Sequence, residues 1–308
     1  MVYDVIIVGG GPAGLSAVLT ACYLKLKHLV IEASRAGGIL ERNYPWKEVD
    51  SFIGFYEHTG KEVADSMVNH VKKEGAKIKE GELVEEITKD KKKRIFTVKT
   101  DRGKYQAKTV LLTTGSMGIP RRLEIPGEDN RNVYYSILDP KRHKGKKALV
   151  VGGGDTALEG ANTLSRAGAK VWLVHRRDKF RAMEKNQEEL KKSKAKVLFN
   201  TELKKIFGTK EIKKVTIFNN KTKREDSLEV DEVFIFIGSV FDVELFKKLG
   251  VRMEGQKVPV DSEMRTNVEG VFAAGDITGR LKRIPEAIGE GHLAVYTIYK
   301  YLKRPYWA

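Results

Sequence analysis

The chain has 308 residues, 41% of them hydrophobic and 32% charged, with 57 Lys and Arg against 41 Asp and Glu for a formal charge of +16. That length suits about two domains with ample cores, no apolar run is long enough to span a membrane, and the single cysteine, Cys22, rules out an intrachain disulfide or a cysteine-built zinc site. The basic residues are scattered in short groups such as Lys141-Arg142, Lys191-Lys192 and Lys247-Lys248, with no basic helix and no stacking platform, which argues against a nucleic-acid partner.

The opening Met1-Val2-Tyr3-Asp4 leads at once into the apolar strand Val5-Ile6-Ile7-Val8. A leader segment has no room there, so the cytoplasm is the expected location. The turn Gly9-Gly10-Gly11-Pro12-Ala13-Gly14 follows, then a helix, then the strand His28-Leu29-Val30-Ile31 ending at Glu32. A loop with aromatics runs from Gly37 to Tyr56, and a helix is expected over Gly60–Glu74. Residues 76–112 read as short alternating strands, the last of which, Thr109-Val110-Leu111-Leu112, ends at Thr113-Thr114-Gly115.

The plan then repeats. The strand Ala148-Leu149-Val150-Val151 leads into Gly152-Gly153-Gly154-Asp155-Thr156-Ala157, a helix over 155–167, and a strand over 170–175. Further on, a helix is expected over Ala182–Lys194, and strands with turns at Asn219-Asn220 and Glu225-Asp226. An apolar strand, Glu232–Ile237, ends at Gly238. Finally come the strand and turn Val271-Phe272-Ala273-Ala274-Gly275-Asp276 and a helix over Glu286–Leu302.

The strands are of the doubly buried type, so parallel sheets with helices on both faces are expected. The fold class is α/β: two Rossmann-like nucleotide-binding domains, the second inserted in the first, each with a mostly parallel sheet and a small β-meander. The first domain is expected over 1–115 and 240–308, and the second over 116–239. The crossings, and any hinges, fall near Gly115–Pro120 and Gly238–Asp242.

Each glycine turn has a physical logic. The first glycine permits the turn, the second lets a pyrophosphate approach the backbone, and the third small residue lets helix pack on strand, with the helix N-terminus facing the anion. Gly9, Gly11, Pro12, Ala13 and Gly14 form one such cradle; Gly152, Gly154, Asp155, Thr156 and Ala157 form the other. The ends of the second strands separate them. Glu32 lies 23 residues after Gly9, and His175 lies 23 residues after Gly152. A carboxylate there accepts from a ribose 2′-hydroxyl and repels a 2′-phosphate. His175-Arg176-Arg177, with Arg181 a turn on, suits a 2′-phosphate through charge-assisted forked hydrogen bonds. The first turn is therefore expected to hold FAD and the second NADPH. The bland alternative for Arg176 and Arg177 is a solvated basic loop.

These marks, together with Thr114-Gly115, Asp178 and Ala273-Ala274-Gly275-Asp276, make the chain resemble the low-molecular-weight thioredoxin reductase type of flavoprotein over nearly its whole length. The resemblance implies that Gly275 and Asp276 sit beside the flavin ribityl and pyrophosphate. It implies a homodimer. One departure is informative. Such reductases carry a Cys-x-x-Cys pair about a dozen residues before the second turn, where this chain has Tyr135-Ser136-Ile137-Leu138. Cys22, on the first helix, reads as a core residue, and a reductase that delivers electrons through its own dithiol needs two thiols.

The chain looks most like the branch that lacks the dithiol, the thioredoxin-reductase-like ferredoxin–NADP reductases. The run Gly37-Gly38, Tyr44-Pro45-x-Lys47, Ile53-Gly54-Phe55 and the run His175 to Ala182 carry that likeness. It implies that Tyr44 stacks on the flavin ring, that hydride passes from NADPH to flavin N5, and that electrons go on to an acidic carrier such as ferredoxin. The excess positive charge suits steering of such a partner. No catalytic acid, base or metal ligand is expected, because the flavin supplies the redox chemistry. The branch carries a C-terminal tail after the last helix, whereas this sequence stops at Arg304-Pro305-Tyr306-Trp307-Ala308; the expectation is either a more open flavin or a short cover by Tyr306 or Trp307, the bland alternative for that pair being packing or a frayed end. An NAD(P)H oxidase or diaphorase, a thioredoxin-reductase-like enzyme with an external redox partner, and a non-enzymatic redox sensor remain open on the same scaffold.

Overall fold

The computed structural model describes residues 1–90, 92–116, 118–240 and 243–305. Tyr306 and Trp307 lie outside the described residues. The chain divides into two compact units, Met1–Gly118 with Phe241–Ala308, and Ile119–Val240.

The first segment of unit 1 runs β1 (Val2–Val8), α1 (Pro12–Tyr23), β2 (His28–Glu32), α2 (Ile39–Arg42), α3 (Gly60–Lys73), β3 (Ile78–Glu80), β4 (Val84–Asp90), β5 (Ile95–Thr100) and β6 (Lys104–Leu112). Unit 2 contains β7 (Ile119–Pro120), β8 (Val133–Tyr134), β9 (Lys147–Gly152), α4 (Asp155–Arg166), β10 (Lys170–His175), α5 (Glu184–Lys192), β11 (Lys196–Phe199), β12 (Thr201–Phe207), β13 (Lys214–Asn219), β14 (Arg224–Leu228), β15 (Glu232–Phe236) and β16 (Ser239–Val240). Unit 1 resumes with α6 (Glu244–Leu249), β17 (Val271–Ala273) and α7 (Ile284–Lys303).

The unit 1 sheet has the order β3-β2-β1-β6-β5-β4, with β17 also on β6. Strand β6 makes both kinds of pairing possible. Its start pairs antiparallel with β5 (Lys99 opposite Lys104), and its end pairs parallel with β17 (Ala273 opposite Leu112). Alternating side chains bury both faces. Val5, Ile7, Val30 and Leu111 pack on α1 and α7. Ile6, Val8, Leu29, Ile31, Val110 and Leu112 pack against Phe96 and Val98 of the β-meander and Phe246 of α6. Unit 2 repeats the scheme with the all-parallel order β11-β10-β9-β15-β8. Leu149, Val151, Val174 and Ile235 pack against Leu203, Val215 and Ile217 of the three-stranded antiparallel sheet β12-β13-β14.

The expectation of helices on both faces is thus corrected: in each unit a β-meander covers much of one face. A sheet face needs only an apolar cover, and a meander supplies one as well as helices do. Two local expectations also change. Glu225-Asp226 is no turn but lies inside β14, opposite Phe218 and Ile217. The helix expected from Ala182 starts only at Glu184: Met183 is its N-cap, with non-helical backbone at ψ 148° and its N–H donating to the Asp155 carboxylate at 2.7 Å. Among the described residues no helix is long and apolar enough to cross a membrane, and no group of three or more His, Cys, Asp or Glu is placed to hold a metal ion.

Candidate functional site

Each unit has one glycine turn at the C-terminal end of its parallel strands, and the two are built alike. A Cβ on Gly9 would collide with the Thr113 carbonyl at the end of β6; a Cβ on Gly152 would collide with the Phe236 carbonyl at the end of β15. Both glycines have positive φ, +109° and +152°, so each turn needs glycine twice over, for conformation and for space. Loops after the second strands dock on the middle glycines in the same way. The Gly37 N–H donates to the Gly10 carbonyl at 2.8 Å, and the Arg181 N–H to the Gly153 carbonyl at 2.9 Å.

The helices after the turns start on the turn glycines themselves. Helix α3 has a full capping box, Thr59 with Glu62. Helices α1 and α4 have glycine at the N-cap, Gly11 and Gly154, and no side-chain cap. Their first N–H groups are the kind an anion satisfies. Ala13 is where unit 1 converges: a Cβ on Gly275 would sit 2.8 Å from the Ala13 Cβ, and one on Gly291 would collide with the Ala13 carbonyl. Gly38, with φ +66°, lies equally close to Gly11.

The polar groups around the first turn leave capacity for a ligand. Glu32 is buried; its Oε2 accepts from Gly10 N–H at 2.7 Å and its Oε1 from Ser34 N–H at 2.9 Å, leaving lone pairs over. The Thr114 hydroxyl is buried with no partner among the described residues. No donor among the described residues reaches the Asp276 carboxylate, and burial pushes its pKa up against the opposing pull of Lys282. Gly115 completes this edge with φ +70° and open space around it. Tyr44 is half-buried after α2, with the Lys47 ammonium 5.7 Å from its ring centroid. An orphaned hydroxyl, a carboxylate without donors and an uncapped helix are what a dinucleotide with hydroxyl and phosphate groups would satisfy.

Sequence reasoning missed Glu290. This α7 carboxylate is 5% exposed; it accepts from Gly275 N–H at 2.7 Å and from the Thr278 hydroxyl at 3.1 Å, with Arg280 3.7 Å away. It therefore fixes the turn that carries Asp276. A signal was present: a lone acid between Ala287 and Ala294 on the buried stripe of an amphipathic helix.

At the second turn, the His175 ring lies against Gly153, where a Cβ would have no room. Its Nε2 donates to the Lys179 carbonyl at 3.1 Å. Burial lowers the His175 pKa against the opposing hydrogen bond to Lys179, and the positive charges of Arg177, Arg176 and Arg181 add to the lowering. All three are exposed, and none forms an ion pair among the described residues. Arg181 comes close to the turn itself, with a guanidinium nitrogen 3.8 Å from where a Gly154 Cβ would sit. Asp155 faces elsewhere, accepting from Met183 N–H and Asn186 Nδ2, both at 2.7 Å.

The segment in place of a dithiol is packed. Tyr135 donates to Glu128 at 2.7 Å and its pKa is pushed up to about 12 by burial and that carboxylate; Ile137 is buried and Leu138 is 60% exposed. Cys22 is half-buried at the end of α1 rather than in the core, with its Sγ 3.7 Å from His28 Nε2 and burial pushing the thiol pKa up.

Paired Rossmann-like units of this kind define a class of flavin-dependent NADPH oxidoreductase. The model of the pyridine nucleotide-disulphide oxidoreductase family matches residues 3–291, and the chain belongs to that family. It is 38% identical over 305 residues to a protein from Ignicoccus hospitalis named ferredoxin–NADP reductase, covering 99% of both chains. A protein of the same name from Sulfurisphaera tokodaii is 38% identical over 314 residues, covering 97% of this chain and 93% of that one. The crystal structure of Lactococcus lactis thioredoxin reductase superposes with a TM-score of 0.87 at 30% identity, covering 98% of this chain and 100% of that one.

Proposed function

We propose that the turn at Gly9 holds FAD, that the turn at Gly152 admits NADPH, and that the electrons leave to an acidic iron–sulfur carrier of the ferredoxin type. When bound, the flavin supplies the chemistry, taking a hydride and releasing electrons onward. The chain does the rest. Gly9, Gly11, Pro12, Ala13 and Gly14 bring the α1 N-terminus to the pyrophosphate, Glu32 accepts from the adenosine ribose, and Thr114, Gly115, Gly275 and Asp276 line the remainder, with Gly38 keeping the loop close and Tyr44 shielding the ring. At the second turn, Gly152, Gly154, Thr156 and Ala157 seat the pyrophosphate, while Arg176, Arg177 and Arg181 bind the 2′-phosphate. Positioning of the two nucleotides is the main catalytic contribution, and it needs no acid or base.

The observation that carries the acceptor assignment is the thiol inventory. Tyr135 to Leu138 contain no cysteine, and Cys22 stands alone, so electrons cannot pass through a dithiol of this chain. Relatives named ferredoxin–NADP reductase support the same reading. So does the charge of +16, which favours encounter with an acidic protein. The test is anaerobic turnover of NADPH-reduced protein with three acceptors offered separately: an acidic ferredoxin, oxidised thioredoxin, and air. Fast, salt-sensitive ferredoxin reduction is expected. Efficient thioredoxin turnover, or peroxide as the fast product, would overturn the assignment.

A further inference from the structure

We propose that the phosphate preference of the second turn is set by a backbone clamp on residues 176–183, in which Asn220 and Asp155 are positioning residues for Arg176, Arg177 and Arg181. This deepens the reading of that turn as the NADPH site and rests on it.

Long exposed arginines bind a phosphate well only if little order has to be created on binding. Here the order is built beforehand, in the main chain. Asn220 Nδ2 donates to the Arg176 carbonyl at 2.8 Å. The Asn200 N–H donates to the Arg177 carbonyl at 3.0 Å, and the Arg181 N–H to the Gly153 carbonyl at 2.9 Å. The Met183 N–H donates to Asp155 Oδ1 at 2.7 Å. Between these points the His175 Nε2 donates to the Lys179 carbonyl, and the Phe180 ring lies 4.8 Å from that of Phe199. The segment is thus tied to the meander on one side and to α4 on the other.

The tethers are themselves braced. The Asn220 N–H donates to the Asn200 carbonyl at 2.8 Å, and its Nδ2 also reaches Glu202 Oε1 at 3.1 Å. Glu202 is engaged in turn by Lys204 at 2.7 Å, and the Arg176 charge acts on it without a salt bridge between the two. Asn186, on α5, holds Asp155. Neither Asn220 nor Asp155 offers its bonded group to a nucleotide. Asp155 would even repel a phosphate, so its tether accounts for a carboxylate at a helix start that faces an anion.

The probes are 2′,5′-ADP, which carries the 2′-phosphate, and 5′-ADP, which does not, titrated calorimetrically into the FAD-loaded protein. N220A should weaken 2′,5′-ADP about three- to tenfold, the factor one ordinary hydrogen bond is worth, and leave 5′-ADP within about twofold. D155A and D155N remove the same charge, but only asparagine keeps an oxygen for Met183. D155N should therefore hold 2′,5′-ADP more tightly than D155A, again about three- to tenfold. N220S replaces N220A if the latter does not fold, since serine keeps the turn but cannot span to the Arg176 carbonyl.

Equal weakening of both nucleotides would mean a general structural role and overturn the proposal. So would unchanged affinity in N220A together with no difference between D155A and D155N. The double variant R176A/R177A separates the two levels. If it leaves the preference for 2′,5′-ADP intact, the phosphate-site reading fails and the clamp with it. If it abolishes the preference while N220A leaves 2′,5′-ADP affinity unchanged and D155A and D155N do not differ, the clamp alone fails.

Discussion

Replacing Glu290 tests whether the turn at Gly275 and Asp276 is held by one buried carboxylate. E290A leaves the Gly275 N–H and the Thr278 hydroxyl without their acceptor. Each stranded buried donor costs about 1–3 kcal/mol, so the two together cost about 2–6 kcal/mol. E290Q removes the same charge but keeps an oxygen at the same place, so the difference between the two variants isolates the acceptor. For a unit of this size, at about 2–4 °C per kcal/mol, it should appear as about 4–24 °C in Tm.

The glutamine variant has its own signature. Burial raises the Glu290 pKa above the ordinary glutamate value, against the hydrogen bonds from Gly275 and Thr278. A raised carboxyl contributes its stability fully below the unfolded pKa and loses it as pH rises through the folded one. E290Q should therefore match the wild type at low pH and gain on it as pH rises. Thermal unfolding across pH, with FAD retention followed by its absorbance, measures both effects. If E290A and E290Q unfold together, the carboxylate does not hold this turn.

R176A and R177A should each lower the NADPH-to-NADH ratio of kcat/KM by about tenfold or more, since a hydrogen bond to a charged group is worth about 1.5–3 kcal/mol; steady-state kinetics with both donors measures it. G9A should not yield a folded flavoprotein, because the Thr113 carbonyl occupies the space of its side chain at a positive φ; soluble yield and FAD content report this. Glu128 is lowered in pKa, burial being outweighed by hydrogen bonds from Tyr135 and from the N–H groups of Leu123, Ile125 and Glu124. Its contribution is present above the ordinary value of 4.5 and lost as pH falls through the folded value, so E128Q should flatten the acid limb of unit 2 unfolding.

The two glycine turns and the strands around them were legible because their signals are local. An apolar run, a turn only glycine can make, and a second strand at fixed spacing appear twice in the chain. What failed was what tertiary contact decides. Strand β14 is exposed almost throughout and lacks apolar alternation, so Glu225-Asp226 resembled a turn; its ladder with β13 makes it a strand. The start of α5 falls two residues later than expected, where Met183 has the non-helical backbone of an N-cap and its N–H reaches an aspartate 28 residues earlier. Asn220 could not be found from sequence, since its contact with Arg176 spans 44 residues. Glu290 could have been, as an acid on a buried helical stripe.

The most direct test of the central claim is anaerobic mixing of the purified protein with NADPH or NADH while flavin absorbance is followed. The account predicts a yellow protein that releases FAD on denaturation, is bleached faster and at lower concentration by NADPH than by NADH, and shows no change when Cys22 is replaced by serine. A protein that arrives colourless and cannot take up FAD, or one that bleaches equally with both donors, would contradict it.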